Sequence, residues 1–145
     1  MLLTGPNGAL ALTILDYECS DSPYFMDRNW LIVSLKIRYQ NRECVRTAPV
    51  LSTWEIELLL KWMRSLDAGH ELSPKLSFIE PALSFSNISN KPNDYRLRVK
   101  LGPDVQPSWQ HGSAPFFLLV EPDKRELQQA VQDLEKQIKR FPVRE

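Results

Sequence analysis

The residues best equipped for chemistry are His70 and His111, Cys19 and Cys44, and a few carboxylates in crowded or apolar settings. General acid-base work needs an imidazole or carboxylate held against a second polar group. His111, in Gln110-His111-Gly112 beside Trp109, is the stronger of the two histidines for that role, with Glu80 or Asp27 as a carboxylate that folding would have to bring to it. His70 follows Gly69 and reads as a solvated imidazole at a helix C-terminus, where its positive form favours the helix dipole. Neither histidine adjoins a serine or cysteine in a nucleophile motif. The cysteines lack CxxC spacing and a nearby histidine pair, so they read as inert or buried thiols rather than zinc ligands. Glu18, Asp21 and Asp27 cluster without DxD or HExxH spacing, as solvated turn residues do. Glu80 stands between two apolar runs, where an unpaired carboxylate is costly; it reads as a tie from the Glu80-Pro81 turn to an arginine or to backbone amides. The five glycines form no phosphate-cradling loop. The expectation is a chain with no catalytic, metal-binding or cofactor-binding residues and no cofactor.

Binding is the chemistry the remaining pattern favours. Arg96, Arg98 and Lys100 share one face of a predicted strand, and Lys36 and Arg38 extend that face if their strands lie near one another. Such a surface suits an acidic protein partner, with Trp30 or Trp109 as an aromatic anchor and His111 beside the latter. The plain alternative is a charged outer face that guards a sheet against aggregation. Trp54 and Trp62 read as core. Lys and Arg (18) balance Asp and Glu (18), so no net field draws the chain to nucleic acid or an anionic membrane.

The elements that must position these groups are legible from periodicity. Residues 9–17 read as a strand after the turn Gly5-Pro6-Asn7-Gly8. In 30–39, Leu31, Val33, Leu35 and Ile37 alternate with Ser34, Lys36 and Arg38, and 43–48 is a short return strand that Pro49 should end. Ser52 and Glu55 form a capping box for a helix that Gly69 stops. On it Leu58, Leu59, Trp62, Met63 and Leu66 make the apolar stripe, while Glu55, Glu57, Lys61 and Arg64 face away. Two short strands or one bulged edge lie in 76–86, a further strand alternates through Tyr95, Leu97, Val99 and Leu101, and the all-apolar 116–120 suggests a strand covered on both faces. A last helix starts at Asp123 and ends before Phe141-Pro142. The loop 102–115, rich in proline and carrying Trp109, is long enough to be a functional candidate. Strands in blocks with two helices predict an α+β class: one domain over 1–145, a mostly antiparallel sheet of about six or seven strands, and two amphipathic helices packed on it. No sequence repeat and no signal or membrane-spanning segment is evident, so the cytoplasm is the expected compartment.

Taken together, Asn29-Trp30-Leu31-Ile32-Val33, Leu51-Ser52-Thr53-Trp54-Glu55-Ile56, Phe78-Ile79-Glu80-Pro81-Ala82-Leu83-Ser84-Phe85 and Arg140-Phe141-Pro142-Val143-Arg144 resemble the WapI-like bacterial immunity proteins. That resemblance implies a cytoplasmic, non-catalytic partner of a polymorphic toxin that binds the toxin's C-terminal domain and blocks its nuclease activity. Where the family leads one to expect an acidic Asp-Pro step ahead of the helix, this chain has Thr47-Ala48-Pro49-Val50. Two other readings stand beside it: an enzyme or small-molecule site near His111 and Glu80, and a homodimer formed through Trp30 and Ile32.

Overall fold

In the computed structural model, residues 1–69, 74–80 and 82–145 are described; His70 and Pro81, and with them the reading of His70 and the backbone of the Glu-Pro step, lie outside this set. The strands fall into two sheets, not the single one expected. The first is a meander of β1 (Leu2–Thr4), β2 (Gly8–Tyr17), β3 (Trp30–Tyr39) and β4 (Arg42–Ser52), and the second of β5 (Lys75–Ser77), β6 (Leu83–Asn87), β7 (Leu97–Leu101) and β8 (Phe116–Val120). Every pair is antiparallel. The short α1 (Phe25–Arg28) interrupts the β2–β3 connection, α2 (Thr53–Asp67) follows the first sheet, and α3 (Lys124–Arg140) follows the second. Four strands and a helix thus occur twice, although the sequence shows no repeat.

The break between the sheets has a local cause. The β4 chain runs straight into a helix N-terminus: the Glu55 amide donates to Ser52 Oγ at 3.3 Å, and the Ser52 amide donates to Glu55 Oε1 at 3.0 Å, closing the capping box. A helix in that place leaves no chain to continue the ladder. Pro49 does not end β4 as expected. It lies where the β3–β4 register slips between Leu31 and Val33, on an edge strand, and both circumstances tolerate a residue without an N–H.

The inner faces of both sheets and the buried sides of α2 and α3 share one core, with Leu31, Val33, Leu35 and Ile37 of β3 fully buried as their alternation requires. The sheets touch where the β1–β2 turn meets β8. There the Glu121 amide donates to the Thr4 carbonyl at 2.9 Å, and a Cβ on Gly5 would stand 2.9 Å from the Glu121 nitrogen. Gly5 therefore serves close approach, not an unusual turn conformation.

Three expectations about faces need correction. Leu58 is exposed while Glu55 is buried, so α2 turns its stripe one position from the reading above. Phe117 and Leu119 of β8 are exposed, because nothing among the described residues covers the outer face of the second sheet. Cys19 is exposed and Cys44 half-buried. No described helix is long and apolar enough to cross a membrane.

Candidate protein-binding surfaces

The groups that sequence analysis singled out divide among separate surfaces. Arg96, Arg98 and Lys100 do lie on the outer side of β7, and Arg98 rests on the Phe117 ring at 4.9 Å. Arg96 is paired with Asp94 at 3.5 Å and lies 3.9 Å from Glu121. Lys36 and Arg38 stand on β3, in the other sheet, so they do not extend this face; Lys36 pairs with Glu43 at 3.1 Å. Arg38 and Lys36 instead rim a shallow depression of about 400 Å³ floored by Leu2, Ala9 and Ala11.

Trp109 is half-buried rather than presented. Its ring meets Phe116 edge-on at 6.2 Å, and the Arg42 guanidinium lies 5.9 Å from it. The loop 102–115 is folded onto the body by buried Val105, and Gln106 Nε2 donates to the Gln110 and Gly112 carbonyls. His111 is exposed on this loop. Glu80 is exposed too, and the tie assigned to it belongs to another carboxylate: Glu55 Oε2 accepts from the Ile79 amide at 2.8 Å. No hydrogen bond or ion pair joins Glu80 to His111 among the described residues. No group of three or more potential metal ligands converges among the described residues.

The more coherent surface is one the sequence did not reveal. Around α1 and the first turns of α2, Tyr24 is 69% exposed and Ile79 67%, and Phe25, Met26 and Leu58 are each close to half exposed. Phe25 stacks on half-buried Trp54, centroids 6.0 Å apart and planes 9° from parallel. Leu58 lies one turn along α2 from Trp54, and Ile79 is tied to the same first turn through Glu55. Trp30 follows α1 and pairs with Ser52, which places it at the root of this patch. Trp54 is thus half-buried rather than fully core as expected, while Trp62 is core at 2% exposure.

A buried amide holds the patch in place. Asn29, fully enclosed, donates from Nδ2 to the Phe25 carbonyl (2.9 Å) and the Arg144 carbonyl (2.9 Å), while its Oδ1 accepts from Thr53 Oγ1 (2.9 Å) and the Arg144 amide (2.8 Å). Both amide hydrogens and both carbonyl lone pairs are used. One side chain therefore joins α1, the start of α2 and the C-terminal tail. The tail is held again where Tyr17 donates its hydroxyl to the Pro142 carbonyl at 2.6 Å and meets Phe141 edge-on at 5.6 Å. Burial pushes the Tyr17 phenol up, as does Asp16, against the opposing pull of Arg144.

Two antiparallel four-strand meanders, each followed by a helix, define a small α+β fold. The chain belongs to the WapI-like immunity protein family, which it matches over residues 1–142. The architecture recurs in the crystal structure of WHY3 from Arabidopsis thaliana, with a TM-score of 0.50 and 12% identity over 97% of this chain and 86% of that one. It recurs also in the plant transcriptional regulator PBF-2, with a TM-score of 0.50 and 14% identity over 97% and 80%. At such identity the likeness is one of fold alone. Beta-galactosidase 12 of Oryza sativa subsp. japonica is 29% identical over 107 residues, 66% of this chain, and the chain spans 11% of that enzyme's length.

Proposed function

We propose that this chain is a cytoplasmic immunity protein that neutralises a toxin of nuclease type by stoichiometric binding to the toxin's C-terminal domain, catalysing nothing itself. Family membership supports the class. The observation that carries the contact site is the group of exposed Tyr24, Phe25, Met26 and Leu58 around half-buried Trp54, on which Phe25 stacks. Aromatic and Met side chains are what interface centres concentrate, and partner contact would remove their water-exposed area. On the outer face of β7, Arg98 and Lys100 are flanked by half-buried Ser86 and Ser84 and by exposed Leu119 and Phe117, and Arg98 is already spent on the Phe117 ring.

The test is capture followed by rescue. Tagged chain recovers a toxin C-terminal domain at one-to-one stoichiometry, and its co-expression restores growth to cells making that domain. Phe25→Ser with Trp54→Ala abolishes rescue while the far-ultraviolet spectrum stays as in the parent. Rescue by sub-stoichiometric chain, or rescue intact in that double variant, would overturn the proposal.

A further inference from the structure

The charge around the aromatic patch says what kind of surface covers it. Glu18, Asp21, Asp27, Glu57 and Glu80 are all exposed around α1, the outward side of α2 and the β5–β6 connection. None of the five makes an ion pair among the described residues. The cations nearby are fewer and partly engaged. Arg28 lies over the Phe25 ring and donates to the Pro23 carbonyl at 2.9 Å, Arg144 rests on Tyr17 at 4.8 Å, and Lys61 stands a turn beyond Glu57. Elsewhere several acids are paired within the fold, Asp133 with the N-terminal ammonium, Glu135 with Arg64 and Glu43 with Lys36, while Asp16 and Asp104 are exposed without an ion pair among the described residues. Five exposed carboxylates without an ion pair among the described residues therefore stand on the segments that carry Tyr24, Phe25 and Leu58 or adjoin them.

We infer that the surface seated on this patch is a basic one, of the kind with which a nuclease grips a phosphate backbone, so that this chain and nucleic acid exclude each other on the toxin. The inference rests on the proposed function and names the partner chemistry of the same site. Cationic clefts bind nucleic acid by phosphate neutralisation and by stacking bases on aromatic rings. Unpaired carboxylates around Phe25, Tyr24 and Trp54 offer the same two features in protein form. Opposed charge also raises the encounter rate and is screened by salt, which gives the contact a signature that apolar burial alone lacks.

The experiment uses the toxin domain that the chain neutralises, in a catalytically inactive form, with labelled single-stranded RNA and labelled duplex DNA as probes. Full-length chain should displace whichever probe binds, competitively, and its association rate should fall about tenfold or more between about 50 and about 300 mM salt. Reversal of three acids together, Asp21→Lys, Asp27→Lys and Glu57→Lys, should weaken the complex about thirtyfold or more and flatten that salt dependence. Arg98→Glu with Lys100→Glu should change affinity less than about threefold. All five acids and bases reversed here are surface groups, and thermal melts of each variant check the fold. A ternary complex of chain, toxin and probe, or a triple-reversed chain that binds as the parent does, overturns the inference while the immunity function stands. Self-association of the chain through the patch, seen as a doubled mass that Phe25→Ser halves, overturns it as well. A chain that neutralises no toxin removes the functional reading and this inference with it.

Discussion

Asn29 and Glu55 show how much of this molecule depends on single polar side chains used to capacity. Each is buried, at 0% and 2% exposure, and each spends its hydrogen bonds on backbone that no regular ladder satisfies. For Asn29 the identity of both amide atoms matters, because two carbonyls face its nitrogen and two donors face its oxygen. Asn29→Asp keeps the shape but sets an oxygen against the Phe25 and Arg144 carbonyls, so it should cost about 3 kcal/mol in urea unfolding, at the upper end for a lost buried hydrogen-bond pair. Asn29→Asp as stable as the parent would show that the tail and α1 do not depend on this amide. Sequence could not expose either role. Asn29 appeared only as the first residue of a strand motif, and Glu55 matched the capping box but was assigned to the solvent face. The second oxygen of Glu55 serves Ile79, a contact 24 residues away that no local spacing encodes.

At the scale of elements, α3 and the tail behind it close an edge that the first sheet leaves open. β1 pairs with Ala9, Leu10 and Ala11, and Met1 extends that pairing to Leu12, so the backbone of β2 beyond Leu12 has no strand partner on that side. Gln137, nearly buried, supplies the missing partner: its Oε1 accepts from the Ile14 amide at 2.7 Å and its Nε2 donates to the Leu12 carbonyl at 3.1 Å. The amide mimics one rung of a strand, and the tail continues the cover past Tyr17 to Asn29. Alternation and capping made α2, α3 and the strands after β1 legible in sequence, whereas β1 and α1 were not foreseen. The division into two sheets was not, since it depends on which edges the helices cover. Nor was the aromatic patch, because Phe25 and Trp54 meet only through the fold. Truncation after Arg140 should leave the core folded while freeing α1, since Asn29 loses its two Arg144 partners. Hydrogen exchange should then quicken at residues 24–29 and not at Leu59 or Met63, and toxin affinity should drop about tenfold from loss of a preordered patch. Unchanged protection at 24–29 would mean that the tail is ornament to α1.

Ties between the two halves run crosswise, first half to last helix. Thr4 donates its hydroxyl to Glu126, Arg64 pairs with Glu135, and the N-terminal ammonium is shared between the Leu12 carbonyl and Asp133 of α3. Asp133 makes this coupling readable by pH. Partial burial alone would raise its carboxyl above the ordinary 3.8, but hydrogen bonds from the ammonium and from Gln137, with the charges of the ammonium and Lys136, outweigh it and hold the folded value below. A lowered folded pKa means that the unfolded chain takes up the proton first on acidification. The contribution of Asp133 is therefore complete above the unfolded value of 3.8 and is lost as pH falls from there through the folded value. Asp133→Asn should be less stable than the parent by a constant margin from neutral pH down to about 5, and that margin should narrow below about 4. Urea unfolding across the range, followed by both tryptophan fluorescence and far-ultraviolet circular dichroism, measures it. Because α3 and β1 belong to opposite halves, both probes should shift together. A margin that persists undiminished to about pH 2.5 would assign the effect of the substitution to packing, and probes that separate would mean that the ammonium–Asp133 tie steadies one half alone.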